Sequence, residues 1–534
     1  MSSPCTMQPM YTLAISALIL PLLTAANPSN VFTLSPNLDA PLGVSNAIAN
    51  DFISISIAIH WFQDYAREGQ GSQPNEFSRN LLQSLADSTS LPPRIRIGGT
   101  SADRTTYIPT QQDPILTVAG DNGIPVNVTL GPLWFQQCFD PANFPDGTRF
   151  TFDLPLVRND SLALNNTLTG AGWALNAIGK ERFDAFEIGN EEDLYTSQGV
   201  VPSSWTVKDY VERWRTFSRS IQEKVLSPAG FEADKKWFQG LVFAGLGNIP
   251  AWTTATAFNA GVDEDGFIKS VSLHNYPVGS APWVTLGRTF MNHAAIVANL
   301  SQVIDDIAFL GSSQSTQNID FILGETNSDF VNLNMAQFEG VLGSALWTID
   351  YILYGAYLNI KRMNIHQGTT FGYAAWQPVA VNDKQPQVRA PFYGLKFAAE
   401  ALGRHHGSTQ IIPIDVGEAH LSTYAIYESK ELARLAIVNF QEWNATDGPR
   451  PSDELRLDLG GTRRAVRTRL LTAPAGASAD SGLTFGGIMW NFTTGGLPAR
   501  VPDIEGERTV KIDRDGIFRV NIGASEALLI SVEE

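Results

Sequence analysis

Phe186-Glu187-Ile188-Gly189-Asn190-Glu191-Glu192-Asp193-Leu194-Tyr195 is the stretch on which the fold prediction rests. An apolar run of β-forming residues reaches a Gly and an Asn, and three acids follow in a row. This pattern is typical of a buried strand that delivers a carboxylate to a cleft at its C-terminal end. The stretch Ile319-Asp320-Phe321-Ile322-Leu323-Gly324-Glu325-Thr326-Asn327 has the same form. Each stretch therefore places a glutamate, Glu191 or Glu325, at the end of a predicted strand.

Strand-like runs recur on both sides of these two stretches, and most are followed by a helix-compatible segment. The runs are Phe52–His60, Arg94–Gly98, Pro125–Gly131, Phe183–Asn190, Leu241–Gly247, Ile268–His274, Phe321–Glu325 and Lys361–His366. Alternation of β and α units predicts an α/β fold, a (β/α)₈ TIM barrel over residues 47–403, with Pro125–Gly131 as its third strand.

The pattern changes after Gly403, where short alternating strands are joined by turns without a helix of useful length. Asp515-Gly516 between two of these strands is a hairpin signal. We therefore predict a C-terminal all-β sandwich domain over residues 404–534. Residues 27–46 are extended and have no partner strand in the predicted barrel, so we expect them to pair with the β domain.

Composition limits the function classes. The 534 residues are 43% hydrophobic and 17% charged, which predicts a buried core. The net charge of −17 argues against nucleic acid or an anionic membrane as a partner. Of two cysteines only Cys138 lies outside the N-terminal leader, so we expect neither a disulfide framework nor a thiolate metal site.

The N-terminal residues 1–26 predict a secretory signal peptide, because an apolar run ends at the small residues Thr24-Ala25-Ala26. Six Asn-x-Ser/Thr sequons also favour a secreted, extracellular glycoprotein. The sequons are at Asn127, Asn159, Asn165, Asn299, Asn444 and Asn491.

Two carboxylates at one barrel mouth are the parts of a glycosidase. One carboxyl protonates the leaving oxygen and the other attacks the sugar or activates water. Glu191 and Glu325 fit these parts by position, although either could instead be an acid that caps a helix. Glu187 points to the same side of its strand as Glu191 but deeper, where we expect it to pair with Arg96. Asn190 would offer its amide to a sugar hydroxyl.

Three histidines, His60, His274 and His366, each close a predicted strand. Three imidazoles at one site could bind zinc, but the sequence has no His-x-x-x-His pair and no His-Glu-x-x-His run. Hydrogen bonding to a sugar, or orientation of another side chain, is the favoured role. We expect no metal and no cofactor.

These motifs resemble glycoside hydrolase family 79, the β-glucuronidase and heparanase-like family of retaining (β/α)₈ enzymes. The resemblance spans most of the chain and rests on residues 93–103, 187–193, 274–277, 324–327 and 372–378. It implies that Glu191 is the acid/base, that Glu325 is the nucleophile, and that a further set of residues binds the substrate. By the resemblance, Tyr276 and Tyr373 would contact the nucleophile or the sugar, and Trp376 would form the floor of the pocket. We add Asn190, Thr100 and Asn332, the last from the loop after Glu325, to the predicted substrate-binding residues.

Two positions depart from the family pattern. The family often has Asn where this chain has Thr100, and Glu near the end of the first strand, where this chain reads Ser56-Ile57-Ala58-Ile59-His60. If that Glu normally binds a sugar hydroxyl, recognition of the ring differs here.

The resulting expectation is a secreted, monomeric, exo-acting β-glucuronidase that releases glucuronic acid, with or without a 4-O-methyl group, from glycan chains. One alternative is a related retaining β-glycosidase for a neutral sugar, or an endo-acting heparanase-like enzyme. Another is a catalytically dead carbohydrate-binding protein, although binding alone needs no pair of glutamates.

Overall fold

The computed structural model describes residues 30–69, 73–120, 124–158, 161–232, 234–246, 249–279, 283–329, 336–404, 408–460, 465–512 and 515–533. The predicted signal peptide, Asn159 and Asn332 lie outside these residues.

Eight parallel strands close into a barrel in chain order, and the eighth pairs with the first. Their bounds are Ile53–Ala58, Ile95–Gly98, Phe150–Leu154, Phe183–Ile188, Phe238–Phe243, Ile268–Asn275, Asp320–Thr326 and Met363–Gln367. They are buried along nearly their whole length, as expected of strands enclosed by helices. The predicted (β/α)₈ fold is confirmed.

The prediction of Pro125–Gly131 as the third barrel strand is wrong. Asn127–Leu130 instead pairs with Thr105–Tyr107 and Ile115–Val118 in a small sheet within the loop after the second strand. The third strand is Phe150–Leu154, which pairs with the second and fourth strands. The carboxylate of Asp153 on this strand is buried 3.4 Å from Arg96, a pairing that the local sequence pattern does not reveal.

Helices connect the strands, and most of them cover the outside of the barrel. They are Phe62–Ala66, Glu76–Thr89, Thr100–Asp103, Pro132–Cys138, Ala163–Ile178, Val207–Ile221, Thr254–Asn259, His293–Leu300, Val303–Gly311, Ala336–Glu339, Leu342–Tyr357 and Ala390–Leu402. Val207–Ile221 shows why they form where they do: Thr206 and Asp209 make a capping box at its start, and its apolar residues recur at helical spacing on the barrel side. By length and composition alone His293–Gly311 could cross a bilayer, but here it forms two helices of the barrel layer.

The C-terminal domain contains two sheets, and the predicted sandwich is confirmed. The larger sheet comprises Thr409–Pro413, Leu421–Glu428, Glu431–Asn439, Glu526–Glu533, Ala465–Thr472, Thr484–Phe485, Ile488–Trp490, Pro498–Arg500 and Arg508–Lys511. The smaller sheet comprises Val31–Leu34, Ser452–Asp458 and Ile517–Gly523. Val31–Leu34 runs parallel to Glu454–Leu457, so the first described strand of the chain lies in the β domain.

Alternation along the strands of the large sheet gives it two apolar faces. In Glu431–Asn439, Leu435 and Ile437 face the small sheet, whereas Ala436 and Val438 belong to the barrel's hydrophobic cluster. The helix Leu342–Tyr357 lies at this junction and is buried at every residue except its last. Barrel and β domain therefore share an apolar interface.

Two short antiparallel strand pairs complete the described strands. Arg67–Glu68 pairs with Gln73–Pro74, and Trp376–Gln377 pairs with Gln387–Val388.

Candidate active site

The carboxyl ends of the barrel strands open into a cavity of about 660 Å³ that both predicted catalytic glutamates line. Glu325 is the penultimate residue of the seventh strand, and Glu191 lies three residues beyond the end of the fourth. Tyr276 follows the sixth strand directly and also lines the cavity. The fold thus brings residues far apart in sequence to one mouth, where (β/α)₈ enzymes carry their active sites.

Glu191 has an unusual backbone. Its φ and ψ are 59° and 51°, the left-handed region that a non-glycine residue rarely adopts. Its N–H donates to the carbonyl of Val242 on the fifth strand at 2.9 Å, and Gly189 two residues earlier has φ 92°. Such strain persists only where the surroundings fix it, and it is common at functional sites. The turn aims the carboxylate at His274, whose Nδ1 lies 3.1 Å from Oε1.

Glu325 is buried, and each of its oxygens has a donor. The Tyr276 hydroxyl donates to Oε1 at 2.7 Å, and Arg96 Nη1 donates to Oε2 at 2.5 Å. The neighbouring Gly324 is required by space, because a Cβ there would lie 1.8 Å from Ser272 Oγ. The side chain therefore has one fixed orientation toward the cavity.

The two glutamates are close enough to act on one bond. One carboxylate oxygen of each, with a ring nitrogen of His274, lies within 4.8 Å of the others. Retaining glycosidases hold their carboxyl groups about 5–5.5 Å apart, and inverting enzymes about 6.5–9.5 Å. The short separation is closer to the retaining than to the inverting value and favours the retaining geometry.

Arg96 is the centre of a buried polar network. Its guanidinium donates to Glu187 at 2.6 Å, to Glu325 and to the side-chain oxygen of Asn190 at 2.9 Å. The predicted pairing of Glu187 with Arg96 is present, and the contact with Glu325 was not foreseen. A planar guanidinium has several donors in a fixed plane, which suits it to hold several acceptors at once. Arg96 thereby links the strand of one predicted catalytic residue to that of the other.

The electrostatics keep Glu325 ionised. Burial by itself raises the pKa of Glu325, but His366, His274, Arg96 and the Tyr276 hydrogen bond outweigh it and lower the pKa well below its usual range. Burial lowers the pKa of His366 to about 4, although Glu325 opposes this, so His366 is neutral at pH 7. The Arg96 charge and the Tyr276 hydroxyl therefore stabilise the ionised carboxylate at pH 7 without any charge on His366.

This network also bears on metal binding. Glu191, His274 and Glu325 offer three potential ligand atoms. However, both oxygens of Glu325 already accept hydrogen bonds, one of them from a guanidinium cation. A divalent cation would be placed directly beside that charge, which disfavours it.

The other predicted substrate-binding residues divide into two groups. Thr100 and Tyr373 line the cavity, and the Tyr373 ring lies 6.2 Å from the ring of Tyr276. Asn190 is buried against Arg96, and its side-chain Nδ2 has no partner within the described chain.

The prediction of Trp376 as the floor of the pocket is wrong. Its indole N–H donates to Ser78 Oγ at 2.9 Å, and its ring meets Tyr65 and Phe392 edge-on in the core behind the barrel. It is fully buried and does not line the cavity. The short strand that begins at Trp376 turns the side chain toward the helix Glu76–Thr89, a direction that sequence spacing does not reveal.

The sequence reasoning missed Asp103 as a support of the site. Its carboxylate accepts the Tyr195 hydroxyl at 2.5 Å and the backbone N–H of Asn190 at 3.0 Å. It thereby fixes the turn that carries Glu191. Its position within the motif 93–103 was the signal that could have identified it.

Among the sequons, Asn299 has an unexpected position. It lines the cavity, and its side-chain oxygen accepts from Asn275 Nδ2 at 2.6 Å. Asn127 and Asn165, by contrast, are exposed. The structure thus separates sequons on the surface from one in the wall of the site.

Comparison with known proteins assigns the family. Residues 423–529 match the glycosyl hydrolase family 79 C-terminal beta domain. The chain is 31% identical over 522 residues to a β-glucuronidase of Aspergillus niger, an alignment that covers 92% of this chain and 94% of the relative. The chain belongs to glycoside hydrolase family 79. A β-glucuronidase of Neurospora crassa is 32% identical over 525 residues, with 89% and 90% coverage.

A solved structure shows the same fold. The 4-O-α-L-rhamnosyl-β-D-glucuronidase of Fusarium oxysporum 12S superposes with a TM-score of 0.75 at 23% identity, covering 93% of this chain and 100% of that one. The family resemblance of the motifs is confirmed, and the chain is a glycoside hydrolase.

Proposed function

We propose that the protein is a secreted β-glucuronidase that retains anomeric configuration, with Glu191 as acid/base and Glu325 as nucleophile. The observation that carries this proposal is the pair of carboxylates within 4.8 Å of each other at the barrel mouth. The two curated relatives named as β-glucuronidases support the choice of sugar.

In the first step the ionised Glu325 attacks the anomeric carbon while Glu191 donates its proton to the leaving oxygen. Arg96 and Tyr276 hold Glu325 in place and keep it charged before attack. The product is a covalent glycosyl-enzyme, with the ester bond on a Glu325 oxygen.

In the second step Glu191 acts as a base. It accepts a proton from the water that attacks the anomeric carbon, and Glu325 leaves as a carboxylate. His274, 3.1 Å from Glu191 Oε1, keeps the carboxylate pointed at the same place in both steps.

The sugar's C6 carboxylate needs donors in a protein of net charge −17. The Tyr373 hydroxyl is one such donor, because burial, followed by the charges of Glu325 and Glu339, raises its pKa well above the usual range and keeps it protonated. Such neutral donors bind an anion without adding a formal charge beside Glu325.

A panel of chromogenic β-glycosides tests the proposal, combined with NMR of the first-formed anomer. The glucuronide should be the preferred substrate, and the β-anomer should appear first. Glu325→Gln and Glu191→Gln should each lose activity by orders of magnitude while remaining folded. Faster hydrolysis of the glucoside would favour the neutral-sugar alternative, and activity that survives in both variants would refute the assigned residues.

Tyr373→Phe tests carboxylate recognition. The variant should lower kcat/KM for the glucuronide by about tenfold, the value of one hydrogen bond to a charged group, and change the matched glucoside little. Equal losses on both substrates would show that Tyr373 does not contact the carboxylate.

We also propose exo action by a secreted monomer. The net charge of −17 argues against nucleic-acid and anionic-membrane partners. Product analysis on a glycan chain tests the mode of cleavage. Release of single uronic acids supports exo action, and a ladder of internal fragments indicates a heparanase-like endo enzyme. Binding of the glycan without any hydrolysis would indicate the carbohydrate-binding alternative.

A further inference from the structure

A second cavity, of about 610 Å³, opens on the outside of the barrel, between the helix Ala163–Ile178 and the end of the helix Val207–Ile221. Its lining comes from residues 168–180 and 224–231, and it is here called the lateral groove. Among the described residues it shares no lining residue with the cavity that contains Glu191 and Glu325. The proposed reaction therefore does not account for it.

The lateral groove has an apolar floor and a polar edge. Leu175 and Phe231 lie buried at its floor, and the exposed residues at its edge are Asn176, Lys180 and Lys224. Lys180 is held in place, because its Nζ donates to the carbonyl of Gly230 at 2.9 Å and lies 5.2 Å from the centre of the Phe231 ring. Apolar surface with a few fixed polar groups is typical of a site for a ligand that is itself partly apolar and partly polar.

The backbone on each side leaves space for such a ligand. A Cβ at Gly172, within the first helix, would have no heavy atom within 4 Å. Glycine in a helix interior is less stable than alanine, so this position favours open space over helix stability. On the opposite side the helix Val207–Ile221 continues as a π-helical turn, Gln222–Leu226. Such turns are rare and are frequent at functional sites.

The sequon Asn165-Asn166-Thr167 begins one helical turn before the lateral groove. Asn165 is exposed, whereas the side chain of Asn166 is buried and accepts the backbone N–H of Tyr107 at 2.9 Å. Since an α-helix turns by about 100° per residue, five groove residues lie within about 80° of Asn165 around the helix axis. They are Leu168, Thr169, Gly172, Leu175 and Asn176. A glycan on Asn165 would thus be attached at one end of the groove and on the same helix face.

We propose that the lateral groove binds the first two N-acetylglucosamine residues of an N-linked glycan on Asn165. Its volume lies within the range of roughly 300–1,000 Å³ for sites of drug-sized ligands, a size class that includes this disaccharide. The C–H faces of the rings and the acetamide methyl groups pack on Leu168, Leu175 and Phe231. The hydroxyls and acetamide groups bond to the polar edge. The glycan then covers apolar surface and connects the two helices.

The inference rests on the secretion proposed above and not on the glycosidase activity. The test uses the full chain, secreted from a eukaryotic host that attaches high-mannose glycans. If the chain's own N-terminus does not direct secretion, a signal peptide of the host replaces it. Failure of native secretion is thereby separated from failure of the groove.

The measurement is the rate at which endoglycosidase H, which cuts between the first two N-acetylglucosamine residues, releases each glycan. Glycopeptide mapping reports the rate site by site in native and denatured protein. In native protein the Asn165 glycan should be released about tenfold or more slowly than after denaturation, because only the fraction outside the groove is cut. The glycan on Asn127, which is exposed and outside the groove, serves as the control and should be released quickly in both.

Two variants at Gly172 test where the glycan lies. Gly172→Leu fills the groove without a clash in the protein, so it should abolish the protection. Gly172→Ala adds only one carbon and should retain most of it. If Gly172→Leu does not fold, Asn176→Trp at the exposed edge takes its place.

Thermal stability gives an independent readout. Asn165→Gln should lower Tm by about 2 °C or more, and the same change in the Gly172→Leu background should have no effect, since the two changes remove one contact. Asn127→Gln should leave Tm nearly unchanged. Asn165 is the position to change, because the Thr167 hydroxyl donates to the carbonyl of Pro155 at 2.7 Å and its loss would disturb the fold directly.

Three results would overturn the inference. The first is an unmodified Asn165 in secreted protein whose Asn127 carries a glycan. The second is equally fast release of the two glycans from native protein. The third is protection of the Asn165 glycan that persists in Gly172→Leu, which would mean that something other than the lateral groove shields it.

Discussion

At the scale of single residues, the site is controlled by the two donors on Glu325. The Tyr276 hydroxyl holds one oxygen and the Arg96 guanidinium holds the other. Arg96 is in turn fixed by Glu187 and Asn190, so its removal would leave several buried acceptors without a partner. Breaking such a buried ion pair by loss of one member costs about 3–5 kcal/mol. Tyr276 is therefore the donor that can be changed with less damage to the fold.

Tyr276→Phe should move the acidic limb of the pH–rate profile to higher pH. The hydroxyl stabilises the charged form of Glu325, so its loss raises the pKa of that carboxyl, and a higher pH is needed for ionisation. We expect kcat to fall about 10- to 100-fold, because one oriented hydrogen bond to a charged group is lost. Profiles of kcat/KM from pH 3 to 8 measure the shift. The control is Tyr354→Phe, because the Tyr354 hydroxyl contacts Ser301 and not Glu325; this variant should leave the acidic limb in place. An acidic limb that does not move in Tyr276→Phe would contradict the assigned contact.

Asn299 should be unmodified in the active protein, in contrast to the expectation from its sequon. A glycan on its Nδ2 would enter the cavity and disturb the contact of Nδ2 with Asn275 Oδ1 at 3.4 Å. Peptide mapping after enzymatic deglycosylation in ¹⁸O-water should label Asn127 and Asn165 and leave Asn299 unlabelled. High occupancy at Asn299 in a fully active preparation would show that this wall of the cavity is more open than described.

At the scale of elements, the seventh strand can carry Glu325 only because Gly324 lets it pass close to the sixth. Gly324→Ala would place a Cβ 1.8 Å from Ser272 Oγ and 3.3 Å from Glu187 Oε1. Overpacking of this kind costs about 1–3 kcal/mol. The variant should therefore melt several degrees lower and lose activity, since the clash lies beside the catalytic carboxylate.

A second change tests that steric explanation. Adding Ser272→Gly removes both Ser272 atoms that the new Cβ would meet first. Melting curves of the single and double variants should then show partial recovery in the double variant. If the double variant is less stable by the sum of the two single losses, the sites are independent and the explanation fails.

The elements also show how far sequence reasoning reaches. The strand–Gly–Glu pattern locates both glutamates, because burial and a strand end leave a local signature at each. Pro125–Gly131 and Phe150–Leu154 are both short β-forming runs, and only the tertiary position of Arg96 explains why the one that contains Asp153 enters the barrel. Trp376 was misplaced for a related reason. Proximity in sequence to the site gives no information on which side of a turn a ring faces.

At the scale of the whole molecule, a polar contact joins barrel and β domain within their apolar interface. Asp350, on the helix Leu342–Tyr357, accepts the hydroxyls of Ser422 and Tyr424 from the large sheet. His293 on a neighbouring barrel helix places its Nδ1 2.8 Å from the other oxygen of Asp350. The interface therefore includes one titratable contact.

This contact should make stability depend on pH. Burial lowers the pKa of His293, but the hydrogen bond and charge of Asp350, together with the charge of Asp415, outweigh it and raise the pKa above its usual value. A raised folded pKa stabilises the protein fully below about pH 6.5, the unfolded value, and this stabilisation is lost as pH rises through the folded pKa. Relative to His293→Gln, the wild type should lose Tm over that window. Parallel Tm–pH curves would show that His293 contributes nothing.

The pairing of Val31–Leu34 with Glu454–Leu457 also sets the order in which the protein is completed on the ribosome. Val31 and its partner Glu454 are separated by 423 positions, which take about 20–85 s to translate at roughly 5–20 residues per second. Throughout that interval the nascent chain carries a strand with unpaired N–H and C=O groups, a template for association with other chains. The small sheet can close only near the end of synthesis, so the emerging chain depends on being shielded until its last hundred residues are made.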